Sequence, residues 1–373
     1  AMVLRLCAFS NLFNGVSCAR MHSTPVDVAP VNRKRRLLIE PTYGYGHDTP
    51  RRLTAREIWS EWLDAINFVK DRSRLLPAAS AAYHFATFII FVLFFALYFS
   101  LAAVASTLAI ATFIATVYNT VWYHRYCSHR AFRFRNLFFA RLFLWTNPVG
   151  LREESYVIPH RIHHSKSDEP SDPYGPHLGW LGSYLATESQ QKMNRELSAQ
   201  EYDRLAKSLD HLGIVKSSYA AYRRTGSVET VWHYVLRTLF ANLFWCSLGW
   251  LVAGLPGAMA WMAGVFFYTF LVRDFNYRGH GGFFIKASKG LPANQIFYGI
   301  IAGEWHDNHH ARPRSPRTGL EWWQVDAPYC IIKAMKLCGA VVQINSVRET
   351  PVREPATAPP QIVAGHADFP GRS

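Results

Sequence analysis

"YHFATFIIFVLFFALYFSLAAVASTLAIATFIATVYNTVWYHRYCSH", residues 83–129, decides the fold. No charged side chain occurs between Arg74 and Arg125. Crossing a hydrocarbon layer about 30 Å thick takes ~20 apolar residues in a helix, so this gap holds two spans, expected near 82–101 and 103–122. A second charge-free gap runs from Arg237 to Arg273. It is tighter and holds two shorter spans, near 236–253 and 256–273, joined by "AGLPGAM", whose Gly and Pro mark a turn. Residues 137–151, "LFFARLFLWTNPVGL", are interrupted by Arg141 and by Asn147-Pro148; a segment this short reads as interfacial or re-entrant.

Outside these segments the chain is polar and basic. It has 373 residues and a formal net charge of +14, with half of its residues apolar. Lys and Arg crowd every segment that flanks the spans, and the turns inside the two hairpins carry none. The positive-inside bias then places both termini and residues 123–235 on the cytoplasmic side. That bias accounts for the charge, and no nucleic-acid reader motif accompanies it, so nucleic acid is not an expected partner. The six cysteines include no C-x-x-C pair, which excludes a zinc ribbon and a disulfide framework.

Residues 1–53 read as a basic N-terminal region. Its first thirty residues have no acid before Asp27 and contain Met21, a possible alternative start; they are either a targeting segment or a disordered tail. "TAREIWSEWLDAINFVK" has Thr54 and Glu57 in capping-box spacing and an apolar stripe at helical period, an amphipathic helix suited to the interface. Residues 54–345 form the main domain, and 346–373, rich in Pro and Ala, form a disordered tail. The expected fold is an all-α integral membrane protein, with four transmembrane helices in two hairpins and a cytosolic helical cap.

Of sixteen histidines, nine fall in four tight groups: His124 and His129; His160, His163 and His164; His280, four residues after Asn276; and His306, His309 and His310. Positions i, i+3 and i+4 share one helix face, so each triplet can aim its rings at one point. His124 and His129 diverge by roughly 140° on an ideal α-helix and need a helix end or a π-bulge to converge. Neutral imidazole binds first-row transition metals. Nine rings exceed one coordination sphere and suit two ions with four or five nitrogens each, with Asn276 able to hold a water on one. No thiolate accompanies them, which argues against structural zinc. The isolated His84, His211 and His233 read as satisfied or surface residues; His177, in "DPYGPHLGW", is open.

The words "HRYCSH", "PHRIHHSKSDEPSDPYG", "NYRGHG" and "GEWHDNHH", supported by "HLGW" and "SPRTGLEWWQVD", resemble the membrane fatty acyl desaturases, and within them the Δ9, stearoyl-CoA desaturase-like branch. The resemblance covers roughly residues 80 to 340. It implies four transmembrane helices and a cytosolic cap holding two iron ions. It implies His124, His129, His160, His163, His164, His280, His306, His309 and His310 as ligands, and Asn276 as a contact through water. The implied reaction takes two hydrogens from adjacent methylenes, using O2 and two electrons, and leaves a cis double bond. The chain departs from acyl-CoA members of the family before the second box. They often carry W-x-x-D-H-R, and this chain has "YVIPHR" with Tyr156 and Pro159. The substrate head group, CoA, lipid or carrier-protein thioester, therefore stays open.

Asp168, Glu169, Asp172, Glu304 and Asp307 are either acceptors for imidazole N–H groups or simply solvated. The chain carries no flavin fingerprint, no cysteine set for an iron–sulfur cluster and no haem-binding H-P-G-G. A separate acidic electron donor, cytochrome b5 or ferredoxin, is expected. Arg130/Arg133/Arg135 and Arg312/Arg314/Arg317 either steer that donor or follow from the positive-inside pattern. The expected setting is a multi-pass membrane protein with its active site facing the cytoplasm, in the endoplasmic reticulum of a eukaryote or the inner membrane of a bacterium. Two other readings compete. A membrane diiron hydroxylase would use the same metals, and a non-enzymatic metal transporter would need polar residues within the spans, which hold almost none.

Overall fold

The computed structural model describes residues 37–43, 53–167, 172–173, 178–185, 191–279 and 305–346. The expectations for residues 1–30 and for the tail after 346 lie outside these residues.

Helix α1 (Ala55–Ile66) starts with the capping box read from the sequence: Thr54 Oγ1 accepts from Glu57 N at 3.3 Å and Glu57 Oε2 accepts from Thr54 N at 2.8 Å. It buries Ile58 and Ala65 and leaves Trp59 and Leu63 exposed. Helix α2 (Leu75–Tyr98) begins ahead of the expected 82, because Leu75-Leu76 are already apolar and Pro77 is tolerated in a first turn. Ser100 caps α3 (Leu101–Phe113), accepting from Ala103 N at 3.1 Å. α3 passes without interruption into a π-helix, Ile114–Ser128.

After α4 (Leu137–Thr146), α5 (Glu153–Lys166), α6 (Gly179–Leu185), α7 (Ala199–Ser208) and α8 (Tyr219–Thr225) comes α9 (Val231–Gly279). The backbone of α9 leaves helical values at Ala253 (φ −145°) and Gly254 (φ 63°, ψ −147°). The rings of Trp245 and Trp261 stack across that break at 4.4 Å, although on a straight helix the two positions would lie ~24 Å apart at about 1.5 Å per residue. α9 is therefore two antiparallel arms, 231–252 and 255–279, and glycine supplies the positive φ at the turn. The second arm packs so closely on α3 that a Cβ at Gly264 would come within 2.4 Å of Ile110 Cγ2.

Among the described residues, three helices are long and apolar enough to cross a membrane: Arg72–Tyr98, Leu101–Ser128 and Val231–Tyr277. Four separate spans were expected; the third of these helices is bent at Ala253–Gly254 into two arms that fall on the last two expected segments. Phe85, Phe88 and Val92 of α2, with Leu239 and Leu243 of the first arm, are exposed; contiguous apolar surface of this kind fits lipid better than water.

The π-helix is the centre of the core. Val121, Trp122, Tyr123 and Cys127 are fully buried, and α5 packs directly against it. The all-α expectation is corrected at one place. β1 (Phe132–Phe134) and β2 (Val341–Ile344) pair antiparallel, Phe132 opposite Ile344. "FRF" alternates, so Phe132 and Phe134 face inward and Arg133 outward. This ribbon ties the chain following the first histidine pair to the last described segment. α10 (His306–Ala311) and α11 (Ala327–Leu337) complete the fold.

Candidate metal centre

The π-helix brings the first histidine pair together. Its i→i+5 bonding is seen where His129 N donates to His124 O at 3.1 Å, and the two rings end with centroids 4.8 Å apart.

Two groups of imidazoles form. His124, His129, His160, His164 and His309 make the first and His163, His306 and His310 the second, the ligand atoms in each lying within 4.8 Å of one another. All are buried except His310, which is partly so. The triplets do not each aim at one point; both split. On a helix i and i+4 differ by about 40°, whereas i+3 lies about 100° from i+4. His160 and His164 therefore serve the first group while His163 turns to the second, and His306 and His310 serve the second while His309 turns to the first. His164 stacks on His310 with centroids 4.5 Å apart, so the two groups lie side by side.

The nitrogen spacings test whether a metal fits. In the first group, Nε2 of His129 lies 2.9 Å from that of His160, His160 3.1 Å from His164, His164 2.9 Å from His309, and His309 2.9 Å from His124. In the second, Nε2 of His310 and His306 are 3.0 Å apart. Imidazole nitrogens about 2.1 Å from one ion sit about 3.0 Å apart at right angles and about 3.4 Å apart at the tetrahedral angle. The observed edges match right angles, the pattern of a five- or six-coordinate ion. Hydrogen bonding does not explain them, because one ring nitrogen carries one proton or one lone pair, while His160, His164 and His309 each meet two neighbours. Burial, with neighbouring positive charge, holds His129, His160, His164 and His309 well below the usual imidazole pKa, so these rings present lone pairs. No carboxylate or thiolate joins either group among the described residues.

Asp172 is placed as an acceptor: its Oδ2 lies 2.8 Å from His163 Nδ1. With Nδ1–H donated to the carboxylate, His163 offers Nε2 to the second group. Asn276, half-buried at the end of the second arm, follows Phe275, whose ring meets His306 at 5.2 Å. His280, Asp168, Glu169, Glu304 and His177 lie outside the described residues, as does the side chain of Asp307. Of the isolated histidines, His84 Nδ1 lies 2.7 Å from Ser80 O, His211 Nε2 3.0 Å from Cys127 O, and His233 Nδ1 2.6 Å from Glu229 Oε1.

Two supports were not read from the sequence. Arg125, beside His124, is buried and pairs with Asp326 at 2.9 Å, while its Nη1 donates to Pro316 O at 2.6 Å. Asp326 also accepts from Thr318 N (2.7 Å) and caps α11 at Tyr329 N (2.9 Å). Asn308 donates to Thr318 O and Gln324 Oε1. "SPRTGLEWWQVD" is thus the latch that clamps α10 to the π-helix. The second support is a buried ionic knot. Arg237 joins Glu153 of α5 to Glu229, and Trp122 Nε1 donates to Glu153 at 3.1 Å. Burial pushes the Glu153 carboxyl up to about 7, against the pull of Arg237. An arginine at the head of an otherwise charge-free span was the available signal for this knot.

Comparison with known proteins gives a consistent picture. The model of the fatty acid desaturase family matches residues 99–334. An acyl-CoA 5-desaturase of Anemone leveillei is 28% identical over 256 residues, 63% of this chain and 69% of the relative. The Δ9 acyl-lipid desaturase 1 of Arabidopsis thaliana is 26% identical over 253 residues, 64% of this chain and 73% of the relative. A palmitoyl-monogalactosyldiacylglycerol Δ7 desaturase of the same plant, chloroplastic, is 26% identical over 243 residues, 61% of this chain and 57% of the relative. These relatives differ among themselves in double-bond position and in the carrier of the acyl chain.

Proposed function

Because this chain belongs to the fatty acid desaturase family, we propose that it is a diiron membrane enzyme that places a cis double bond, at Δ9, in a saturated acyl chain carried on CoA or on a membrane lipid. The reaction consumes O2, two electrons and two protons and releases two waters. The observation that carries this reading is the pair of adjacent all-imidazole groups, spaced for one ion each.

His124, His129, His160, His164 and His309 would hold one ion. His163, His306 and His310 would hold the other, with His280 and, through a water, Asn276 as its remaining ligands. A methylene C–H is too weak an acid for any side chain to deprotonate, and bound iron supplies the O2 activation and hydrogen-atom abstraction that its oxidation requires. The protein's own residues keep the rings neutral by burial, fix the His163 tautomer through Asp172, and wall off water with the apolar core around the π-helix. Four spans, formed by α2, by α3 with its π-helix, and by the two arms of α9, hold the chain in the bilayer with the histidines at its cytoplasmic face. Electrons come from a separate acidic carrier, cytochrome b5 or ferredoxin.

Expression in a host that lacks unsaturated lipids, followed by mass spectrometry of double-bond position in each lipid class, tests the assignment. Cis olefins at Δ9 are expected; hydroxylated chains would overturn it. Purified protein should carry two irons per chain. His309→Ala should abolish activity while the protein still reaches the membrane, and a fully active variant would contradict the ligand set.

A further inference from the structure

α2, α3 and the two arms of α9 pack unevenly along their length. Towards the histidines the second arm meets α3 tightly, Gly264 against Ile110. Towards the turns at Ser100 and Gly254 a gap opens, because α3 presents only the small side chains of Ala102, Ala103 and Ser106 there. The gap is a cavity of about 440 Å³ walled by α2, α3 and both arms, within the range of about 300–1,000 Å³ usual for small-molecule sites. The rings of Trp245 and Trp261, stacked at 4.4 Å, form its floor, and Phe113 backs them with centroids 5.4 and 6.2 Å away. The lining is mostly apolar, and Val252 on its rim is 87% exposed. The opening therefore faces the same surroundings as the apolar belt.

Resting on the membrane-spanning reading of these helices, we propose that the cavity is a site for one diacyl glycerolipid of the bilayer. Its two tails lie between the hairpins and its ester groups stand at the level of Tyr98 and Ser100. Depth and width decide the occupant. From Ala253 to Trp245 the first arm descends on the order of 10 Å at about 1.5 Å per residue, so the mean cross-section is roughly 40 Å². An extended alkyl chain with neighbours at about 4 Å takes roughly 16–20 Å². Two chains fill the space; one leaves half of it void, at the cost of lost contacts. Tyr98 ends α2, at the depth where tyrosine favours a membrane interface. Its hydroxyl has no hydrogen-bond partner among the described residues, and an ester carbonyl is an acceptor for it. Distance decides against the tail of an acyl substrate. Ile110, beside the floor, lies on the order of 15–20 Å along the helix from His124. The nine bonds beyond carbon 9 of an 18-carbon chain span only about 11 Å, and the aromatic floor stands in between. A lipid here joins the two hairpins at the end where their own side chains leave a gap.

The test purifies the full chain from membranes in mild detergent, counts bound lipid by native mass spectrometry and identifies it after extraction. Wild type should keep about one diacyl glycerolipid per chain through detergent exchange. Ala102→Phe and Ser106→Phe put a ring into the cavity from exposed and half-buried positions, and should weaken retention about tenfold. Ala105→Phe, on an exposed face of α3 outside the cavity, should match the wild type. Melting separates displacement from misfolding. Delipidated wild type should melt lower and recover when phosphatidylcholine is returned, whereas Ser106→Phe should melt alike with and without it. A wild type that keeps no diacyl lipid, or filled variants that keep as much as the wild type, overturns the site. So does a sterol or free fatty acid retained in its place, or a Ser106→Phe enzyme that keeps its lipid and desaturates shorter chains. The lipid count needs no turnover, so absence of double bonds overturns the desaturase reading and leaves the site standing. A chain released from membranes by alkaline carbonate overturns the spans, and the site with them.

Discussion

Burial makes the site a proton-sensitive one. His129, His160, His164 and His309 are held neutral well below the usual 6.5, first by burial and then by neighbouring positive charge. Unfolded, the same rings take up protons as the pH falls below about 6.5. The unfolded chain then binds more protons, so stability rises with pH through this window and is lost on acidification, by at most about 1.4 kcal/mol per ring per pH unit once the pH is well below 6.5. The metal-free protein should therefore unfold at progressively lower temperature between pH 7 and pH 5; a flat profile in a thermal scan would refute this. Asp172→Asn keeps the shape of the side chain but removes the charge facing His163, and should lower metal affinity ~10- to 100-fold, measured by iron content after competition with a chelator. The spacing of the histidines was enough to bring these rings together on paper. It did not reveal which group each ring joins, because a face shared by i, i+3 and i+4 is wide enough for its members to point in two different directions.

At the level of elements, the five-residue interval between His124 and His129 called for a departure from α-helical winding, and the structure meets it with a π-helix from Ile114 to Ser128. Charge-free runs gave the apolar helices because a long hydrophobic stretch has few other uses. The β1–β2 ribbon and the latch were hidden for the opposite reason: each joins stretches far apart in sequence, and neither partner carries a local signature. Arg125 and Asp326 are 1% and 3% exposed at their side chains, so cutting one leaves the other charge buried and alone. Arg125→Met should cost about 3–5 kcal/mol, visible as a drop in melting temperature together with loss of iron from the first group. Retention of two irons and of wild-type stability would show that the latch is dispensable.

For the molecule as a whole, the apolar faces of α2 and of the arms of α9 define a belt, and the histidine groups sit at one end of it, opposite the hairpin turns at Ser100 and Gly254. Cys330 and Cys338 are exposed on and after α11, so a membrane-impermeant maleimide should label them only when the cytoplasmic face is accessible; labelling from the opposite face alone would invert the topology. The first histidine group also sets an order of events during synthesis. His309 meets His124 and His164, which precede it by 185 and 145 residues, and the segment that fastens it continues to Asp326. A nascent polypeptide still attached to the ribosome thus carries both hairpins before His309 can join this group. On the diiron reading, the first group is completed only after both hairpins have been made, and a chain terminated upstream of this segment is expected to reach the membrane without activity.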